Sequence, residues 1–472
     1  MKRIYPAARR QQQQANPTEG PIQPIMAGIT IADAHQAGVV ETQDFRINKK
    51  TMQHHRNNIR RIIAWLDENY CNYRAAGGIH KLTDAQLNDP TVHHFGNTED
   101  LEYEAINTDL MLAFFADHKV LHGKKKEGKF RSESNMKKFS HSILFGARKA
   151  KKALPLEYHV KVEDFMKAYK KETVTKKTEG KMDSEDSDPI LFPLYRLICE
   201  WALQTNNAFI WVFTLLQWNC MARSISVDPL GFHNFHCGTD SIKVTYDKSK
   251  ADQSGEKVSP KNVYANPFDP TISPFLGLGI WLSLKKETFV DNDSFFLGVG
   301  EIGSAAHRYC SQLIDMLKNF VSEVAKFSRP DRTKSHGTRK GSAIHSTSGT
   351  TMPPPLPSVA QRGEWSQGSV FDVYYLFAEP GDQYLGRCLA GLDPNSIDFA
   401  VLPPYFTVGL NDDDVTEAMA ICFGDLGERY HYTGLLSLLL ASMIHAIDFV
   451  RTYAASSPTH FMNQFQSCST LS

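Results

Sequence analysis

None of the eight cysteines forms a CxxC pair, so neither a zinc ribbon nor a disulfide framework is indicated. Scattered single thiols suit a reduced, intracellular compartment. Long apolar runs are also missing. The most apolar stretch, Gly434 to Val450, contains His445 and Asp448 and is expected to be a core or interface helix rather than a membrane span. No apolar segment follows the charged start MKRIYPAARR, so no signal peptide is expected. No Asp/Glu/His cluster has metal-ligand spacing. The group HNFHC (His233, His236, Cys237) lacks a second ligand pair and is not read as a zinc site. Net charge is absent as well, with 52 Lys/Arg against 52 Asp/Glu, but the balance is uneven. Between Lys119 and Lys181 there are nineteen Lys/Arg against seven Asp/Glu, which leaves the rest of the chain net acidic. A concentrated basic segment in a neutral protein points to a polyanionic partner.

What is present is enough for a globular protein of several domains: 472 residues, 42% hydrophobic and 22% charged. Residues 1–45, with the run Gln11–Gln14 and little apolar periodicity, are expected to be a disordered tail. Residues 46–170 are expected to form a helical core-binding domain. Ile59, Ile62, Ile63, Leu66 and Tyr70 recur at helical spacing between Thr51 and Tyr73. Further helices are predicted over Glu104–His118, over Asn135–Ala153 and, as a short one, over Val162–Tyr169. The third predicted helix carries Lys137, Lys138, Arg148, Lys149, Lys151 and Lys152 largely outward, a candidate DNA-binding surface. The polar segment 171–188 reads as a linker.

From Pro189 the chain is denser in apolar residues. Ile190–Leu203 and Ala208–Trp218 read as buried helices, the second followed closely by Arg223. Ile242–Tyr246 and Lys261–Tyr264 read as a hairpin joined by a polar loop with Lys248, Lys250 and Lys257. Helices are predicted over Phe275–Leu284, Leu313–Phe327, Asp414–Phe423 and Gly434–Tyr453. The fold class expected is mainly α with a small antiparallel β-sheet (α+β): a catalytic domain over 189–405 and a C-terminal helical extension over 406–472.

Chemistry concentrates between Ser335 and Tyr375. SHGTRKGSAIH places His336 and Arg339 on one helix face. RGEWSQGSVFDVYY carries Trp365 and, nine residues on, Tyr374. A guanidinium fork, an imidazole and an indole N–H donate to phosphate oxygens, and a tyrosine can attack as a covalent nucleophile. Adjacent helical residues point about 100° apart, so only one of Tyr374 and Tyr375 can face a phosphate.

The order Arg223 (WNCMARSIS), a lysine of the hairpin loop (YDKSKADQ), His336-x-x-Arg339, Trp365 and Tyr374 resembles the tyrosine recombinase/integrase superfamily. The nearest likeness is to recombinases of Crypton-type DNA transposons, whose phrasing KADQSGE, VYANP and GDQYLGR also resemble. The resemblance covers roughly residues 190–405. It implies a site-specific DNA recombinase acting in the nucleus on double-stranded DNA, as a homo-oligomeric synaptic tetramer, for transposon excision and integration. Two domains would form a C-shaped clamp on the duplex. Arg223, His336, Arg339 and Trp365 would hold the scissile phosphate. Tyr374 would form a 3′-phosphotyrosyl intermediate, and Lys250 would protonate the leaving 5′-oxygen, with Lys248 and Lys257 as alternatives. No cofactor, ATP, metal or membrane is implied. One position departs from the pattern: where many members have an acidic residue three places after the first arginine, this chain has Ser226, with Asp228 near. Two other readings remain: a domesticated DNA-binding protein without catalysis, and a type IB topoisomerase-like activity.

Overall fold

The computed structural model describes residues 49–69, 79–81, 99–101, 103–121, 128–182, 187–247, 259–289, 294–296, 304–365, 379–407, 412–427 and 433–455. The expected N-terminal tail, Lys248, Lys250, Lys257, Tyr374 and Tyr375 lie outside these residues. The chain divides into two compact units, one ending at Glu185 and the other starting at Asp186.

In the first unit, helix α1 (Lys49–Asn69) buries Ile59, Ile62, Ile63 and Leu66, an apolar stripe at helical spacing. A short antiparallel ladder follows, β1 (Ile79–Lys81) with β2 (Glu99–Leu101), so this unit is not purely helical as expected. Helix α2 (Thr108–Asp117) is capped by the Asn107 side chain, which accepts from the backbone of Asp109 and Leu110. Helix α3 (Glu133–Lys149) packs on α1 through Met136, Phe139 and Ile143, and Asn58 donates to the Ser142 hydroxyl at 3.0 Å. It stops at Lys149 rather than Ala153. Lys151 adopts left-handed φ (55°), and the amides of Lys151 and Lys152 close back onto the carbonyls of Arg148 and Ala147 before Pro155 is reached.

Helix α4 (Leu156–Thr178) is far longer than the short helix expected at Val162–Tyr169. It continues through the first residues of the predicted linker because Tyr169 and Thr173, one turn apart, are both buried. The polar composition there marks one solvated face of a helix.

The second unit is built around α6 (Ala208–Asn219), which follows α5 (Phe192–Gln204). Every residue of α6 from Phe209 to Asn219 is buried, as a helix apolar on all sides requires. Three of its polar side chains reach carbonyls outside the helix. Trp211 Nε1 donates to the Thr271 carbonyl at 2.7 Å and Trp218 Nε1 to the Leu389 carbonyl at 3.0 Å. Gln217 Nε2 donates to the Ser335 carbonyl at 3.1 Å. A single turn, α7 (Ser224–Val227), comes next.

The sheet is three-stranded and antiparallel, in the order β3 (Phe235–Cys237), β4 (Ile242–Val244), β5 (Lys261–Val263). The β4–β5 hairpin follows the sequence expectation. The third strand, formed by part of HNFHC, was not foreseen, and His233 in the turn before it pairs with Asp247 at 3.0 Å. Helices α8 (Pro274–Lys285), α9 (Ser304–Asn319), α10 (Val321–Val324), α11 (His336–Ser348), α12 (Leu356–Arg362) and α13 (Glu379–Leu389) complete the surround. Of these, α8, α9 and α11 pack directly on α6, and α13 packs on β5.

The last helices are α14 (Asp413–Phe423), α15 (Thr433–His445) and α16 (Ile447–Ala455), with the predicted single helix over Gly434–Tyr453 broken at Ala446. They are not a separate extension. Cys422, Phe423, Leu436, Leu439, Leu440 and Met443 join the same core as α6, and α15 packs on α8. Burial on that face explains their apolar composition. No helix among the described residues is long and apolar enough to cross a membrane.

Two glycines of the SHGTRKG motif have a packing reason. The segment 187–190 crosses α11, with Ile190 N–H donating to the Gly337 carbonyl at 2.9 Å. It is pinned by a two-point pairing of Arg329 with Asp188 at 2.8 Å for each contact. A Cβ on Gly341 would fall 1.6 Å from the Ile190 carbonyl oxygen, and one on Gly337 2.4 Å from that of Asp188. Gly341→Ala is therefore expected to destabilise the second unit by about 2–3 kcal/mol or more, since the obstacle is backbone and the core is overpacked. Thermal unfolding monitored by circular dichroism checks it, and an unchanged midpoint would contradict this packing.

Candidate active site

Two helix ends and one helix start converge near β5. The first end is that of α6. Past its cap at Cys220, Met221 takes left-handed φ (48°), and the amides of Met221 and Ala222 bond back to the carbonyls of Trp218 and Gln217. This Schellman turn normally carries glycine. It swings the chain so that Arg223 emerges in extended conformation, its side chain 26% exposed.

The second end, that of α12, repeats the device. Glu364 takes left-handed φ (53°), and the amides of Glu364 and Trp365 return to the carbonyls of Gln361 and Ala360. A non-glycine residue held in this region costs roughly 1–3 kcal/mol, which the surrounding structure must offset. The offset is visible at Arg362, whose side chain is 0% exposed. Its guanidinium donates to the carbonyls of Asn219, Asn262 and Asp382 and to the Asp382 carboxylate at 2.8 Å. The other Asp382 oxygen accepts from the Asn262 backbone at 2.7 Å and side chain at 3.0 Å. One buried ion pair thus ties the end of α6, β5, α12 and α13 together.

The helix start is that of α11. His336 opens it, exposed, and Arg339 lies one turn on, buried. Arg339 donates from Nη2 to the Gly363 carbonyl, and its guanidinium sits 5.6 Å from the centre of the Trp365 ring. Trp365 itself is 42% exposed. Burial first, and then the neighbouring charge of Arg223, lower the Arg339 pKa to about 10, with Glu364 opposing the shift. The group therefore remains a cation at neutral pH.

Of the residues singled out from sequence, Arg223, Arg339 and Trp365 meet here, and His336 stands one turn from Arg339 on the same helix. Two further residues were passed over. Glu364 lies 3.7 Å through Oε2 from Arg223 Nη1 and 3.4 Å through Oε1 from Lys261 Nζ. Lys261, the first residue of β5, has a side chain only 2% exposed, and its ammonium stands 4.1 Å from the centre of the Tyr246 ring. Burial lowers its pKa, and Glu364 pulls it back up. The signals were available: a lysine opening the strand-like run Lys261–Tyr264, and a carboxylate inside a motif otherwise made of donors. Among these contacting residues three cations face one carboxylate, an excess of positive charge suited to an anion.

In the first unit the expected basic surface is largely a stripe on α3. Lys137 and Arg148 project within about 20° of each other around the helix axis, with Lys138 and Lys149 about 100° further round. Lys137, Lys138 and Arg148 are exposed, and Lys149 is partly so. Lys137 also pairs with Glu133 at 2.7 Å, and Lys152, beyond the helix, with Glu104 at 2.9 Å. Exposed pairs of this kind contribute little and exchange readily for other anions. Lys151 is exposed at the turn. Among the described residues no group of three or more His, Cys, Asp or Glu side chains is arranged to hold a metal ion.

Set against known proteins, the chain matches no protein-family model and no curated sequence.

Proposed function

We propose that this protein is a DNA strand transferase of the tyrosine recombinase type, its second unit the catalytic domain and its first a DNA-binding domain. The observation that carries the reading is the meeting of Arg223, Arg339 and Trp365. These three come from separate segments, and the resemblance had named each of them for one phosphate. With Arg339 buried and Arg223 a quarter exposed beside Glu364, the two guanidinium groups are pre-organised donors for a phosphodiester. The charge that develops on phosphorus oxygens in the transition state would strengthen both contacts, and each such donor is typically worth about 3–4 kcal/mol of barrier. The Trp365 indole N–H would donate to a non-bridging oxygen, and His336 would add a further donor from the start of α11.

Tyr374 and Lys250 are assigned by resemblance. Tyr374, as its phenolate, attacks phosphorus while the bond to the 5′-oxygen breaks. That oxygen takes a proton from Lys250, leaving a 3′-phosphotyrosyl DNA and a free 5′-hydroxyl. A 5′-hydroxyl from a partner strand reverses the step, so the ester energy is conserved. Such exchange requires a synaptic homo-oligomer, and a nuclear location follows from the transposon-like reading. The α3 stripe would meet phosphates of the duplex, so affinity should fall steeply with salt.

The test is covalent trapping. A duplex nicked beside the scissile phosphate loses its 5′-hydroxyl fragment after cleavage, so the adduct accumulates on a denaturing gel. Wild type should give the shifted band and Tyr374→Phe should not. Salt-sensitive binding without any band would instead support a DNA-binding protein that has lost catalysis.

A further inference from the structure

We infer that Glu364 is the positioning carboxylate of this site, filling the role left open where the family pattern has an acidic residue and this chain has Ser226. The inference rests on the recombinase reading for its consequence in catalysis, but its geometry stands alone. Glu364 reaches Arg223 with one oxygen and Lys261 with the other, at 3.7 and 3.4 Å. Asp228, the other acidic candidate near Arg223, is turned elsewhere: its Oδ1 accepts from the Ala306 amide at 3.0 Å. Ser226 is buried and has no charge to offer.

Three features mark Glu364 as more than a chance surface pair. Its side chain is only 10% exposed, so the charge is held where water screens it poorly. Its backbone adopts left-handed φ at a position where glycine would sit without strain. Glu364 Oε2 and Arg223 Nη1 are both buried and neither makes a hydrogen bond. At 3.7 Å the pair is attracted but not closed, and the other guanidinium nitrogens of Arg223, on a side chain 26% exposed, remain available to an incoming phosphate. Lys261 on the far side anchors the carboxylate, so Glu364 can orient Arg223 without folding over it. Glu364 thus acts through Arg223 and does not touch the substrate.

The experiment is a double-mutant cycle on single-turnover cleavage of the nicked duplex, with DNA affinity measured beside it. Glu364→Gln should slow cleavage in the preformed complex by about tenfold to a hundredfold, the range expected for a misplaced catalytic group, with affinity changed less than about twofold. In an Arg223→Ala background the same change should have almost no further effect, because its route is gone. Full additivity would overturn the proposal. Should Glu364→Gln alone fail to fold because Lys261 is left buried and unpaired, the cycle is run on Lys261→Met. Recovery of the wild-type rate in Lys261→Met/Glu364→Gln would show that Glu364 only neutralises Lys261, and would also overturn it. A readout independent of cleavage is the side-chain nitrogen NMR of the arginines, with Arg223 identified by its loss in Arg223→Lys. Rotation of the Arg223 guanidinium should be hindered in wild type and freer in Glu364→Gln, and equal rates would refute the inference. If wild type forms no phosphotyrosyl adduct, the recombinase reading fails while these spectra still decide whether Glu364 holds Arg223.

Discussion

Arg223→Ala is expected to slow DNA cleavage by roughly a hundredfold to a thousandfold, the loss typical of removing one pre-organised transition-state donor. The variant should still fold. Arg223 is a quarter exposed, it lies beyond the turn that ends α6, and Glu364 keeps Lys261 as a partner when it is removed. Removal also relieves Arg339 of a like charge that lowers its pKa. Stability and activity should therefore part company, with a near-normal melting temperature beside a large kinetic defect. Arg223→Lys keeps the charge but not the planar fork and should fall between the two. Single-turnover cleavage and a thermal melt on the same preparations check this. Cleavage within about threefold of wild type would remove Arg223 from the transition state.

The largest effect on stability is expected from Asp382→Ala. The Arg362–Asp382 pair is wholly buried, and Asp382 also satisfies both the backbone and the side-chain N–H of Asn262. Truncation strands a guanidinium and two amide donors without their acceptor. Breaking a buried pair from one side costs about 3–5 kcal/mol, a large part of a stability of roughly 5–15 kcal/mol. At about 2–4 °C per kcal/mol for a unit of this size, the midpoint should drop by about 10 °C. The double change Arg362→Met/Asp382→Leu should be milder than Asp382→Ala, because no uncompensated charge remains. This pair is what keeps Glu364 and Trp365 in place at the end of α12. A midpoint within about 2 °C of wild type for Asp382→Ala would contradict it, since a shift that small is worth only about 1 kcal/mol.

Much of the second unit was legible because its signals are local. The helix α6 announces itself by apolar residues on every side, and its end was read within one residue of Asn219. The His-x-x-Arg spacing correctly put His336 and Arg339 on one helix, and the β4–β5 hairpin followed from two short strand-like runs around a polar loop. What escaped depends on partners distant in sequence. Strand β3 has only one buried residue of three and no alternation to reveal it, and it exists because β4 offers an edge. Lys261 is buried, against the habit of lysine, because Glu364 lies 103 positions away in sequence and beside it in space. Glu364 in turn is held by a left-handed turn that its residue type does not favour. The length of α4 was hidden because a polar helix face and a linker share a composition. In the last helices, apolar content alone could not separate a core element from a docking one, and burial against α8 made them core.

The most direct measurement is the chemical identity of the trapped linkage. The adduct from the nicked duplex would be digested and its DNA-bearing peptide mapped by mass spectrometry, with the DNA labelled at one end and then the other. Recombinase chemistry predicts a phosphotyrosyl bond between Tyr374 and the 3′ end of the broken strand, with a free 5′-hydroxyl opposite. An adduct at Tyr375 would move the nucleophile by one residue and keep the chemistry. Attachment through a 5′-phosphate, attachment to a residue that is not tyrosine, or no adduct on any duplex that the protein binds would contradict it.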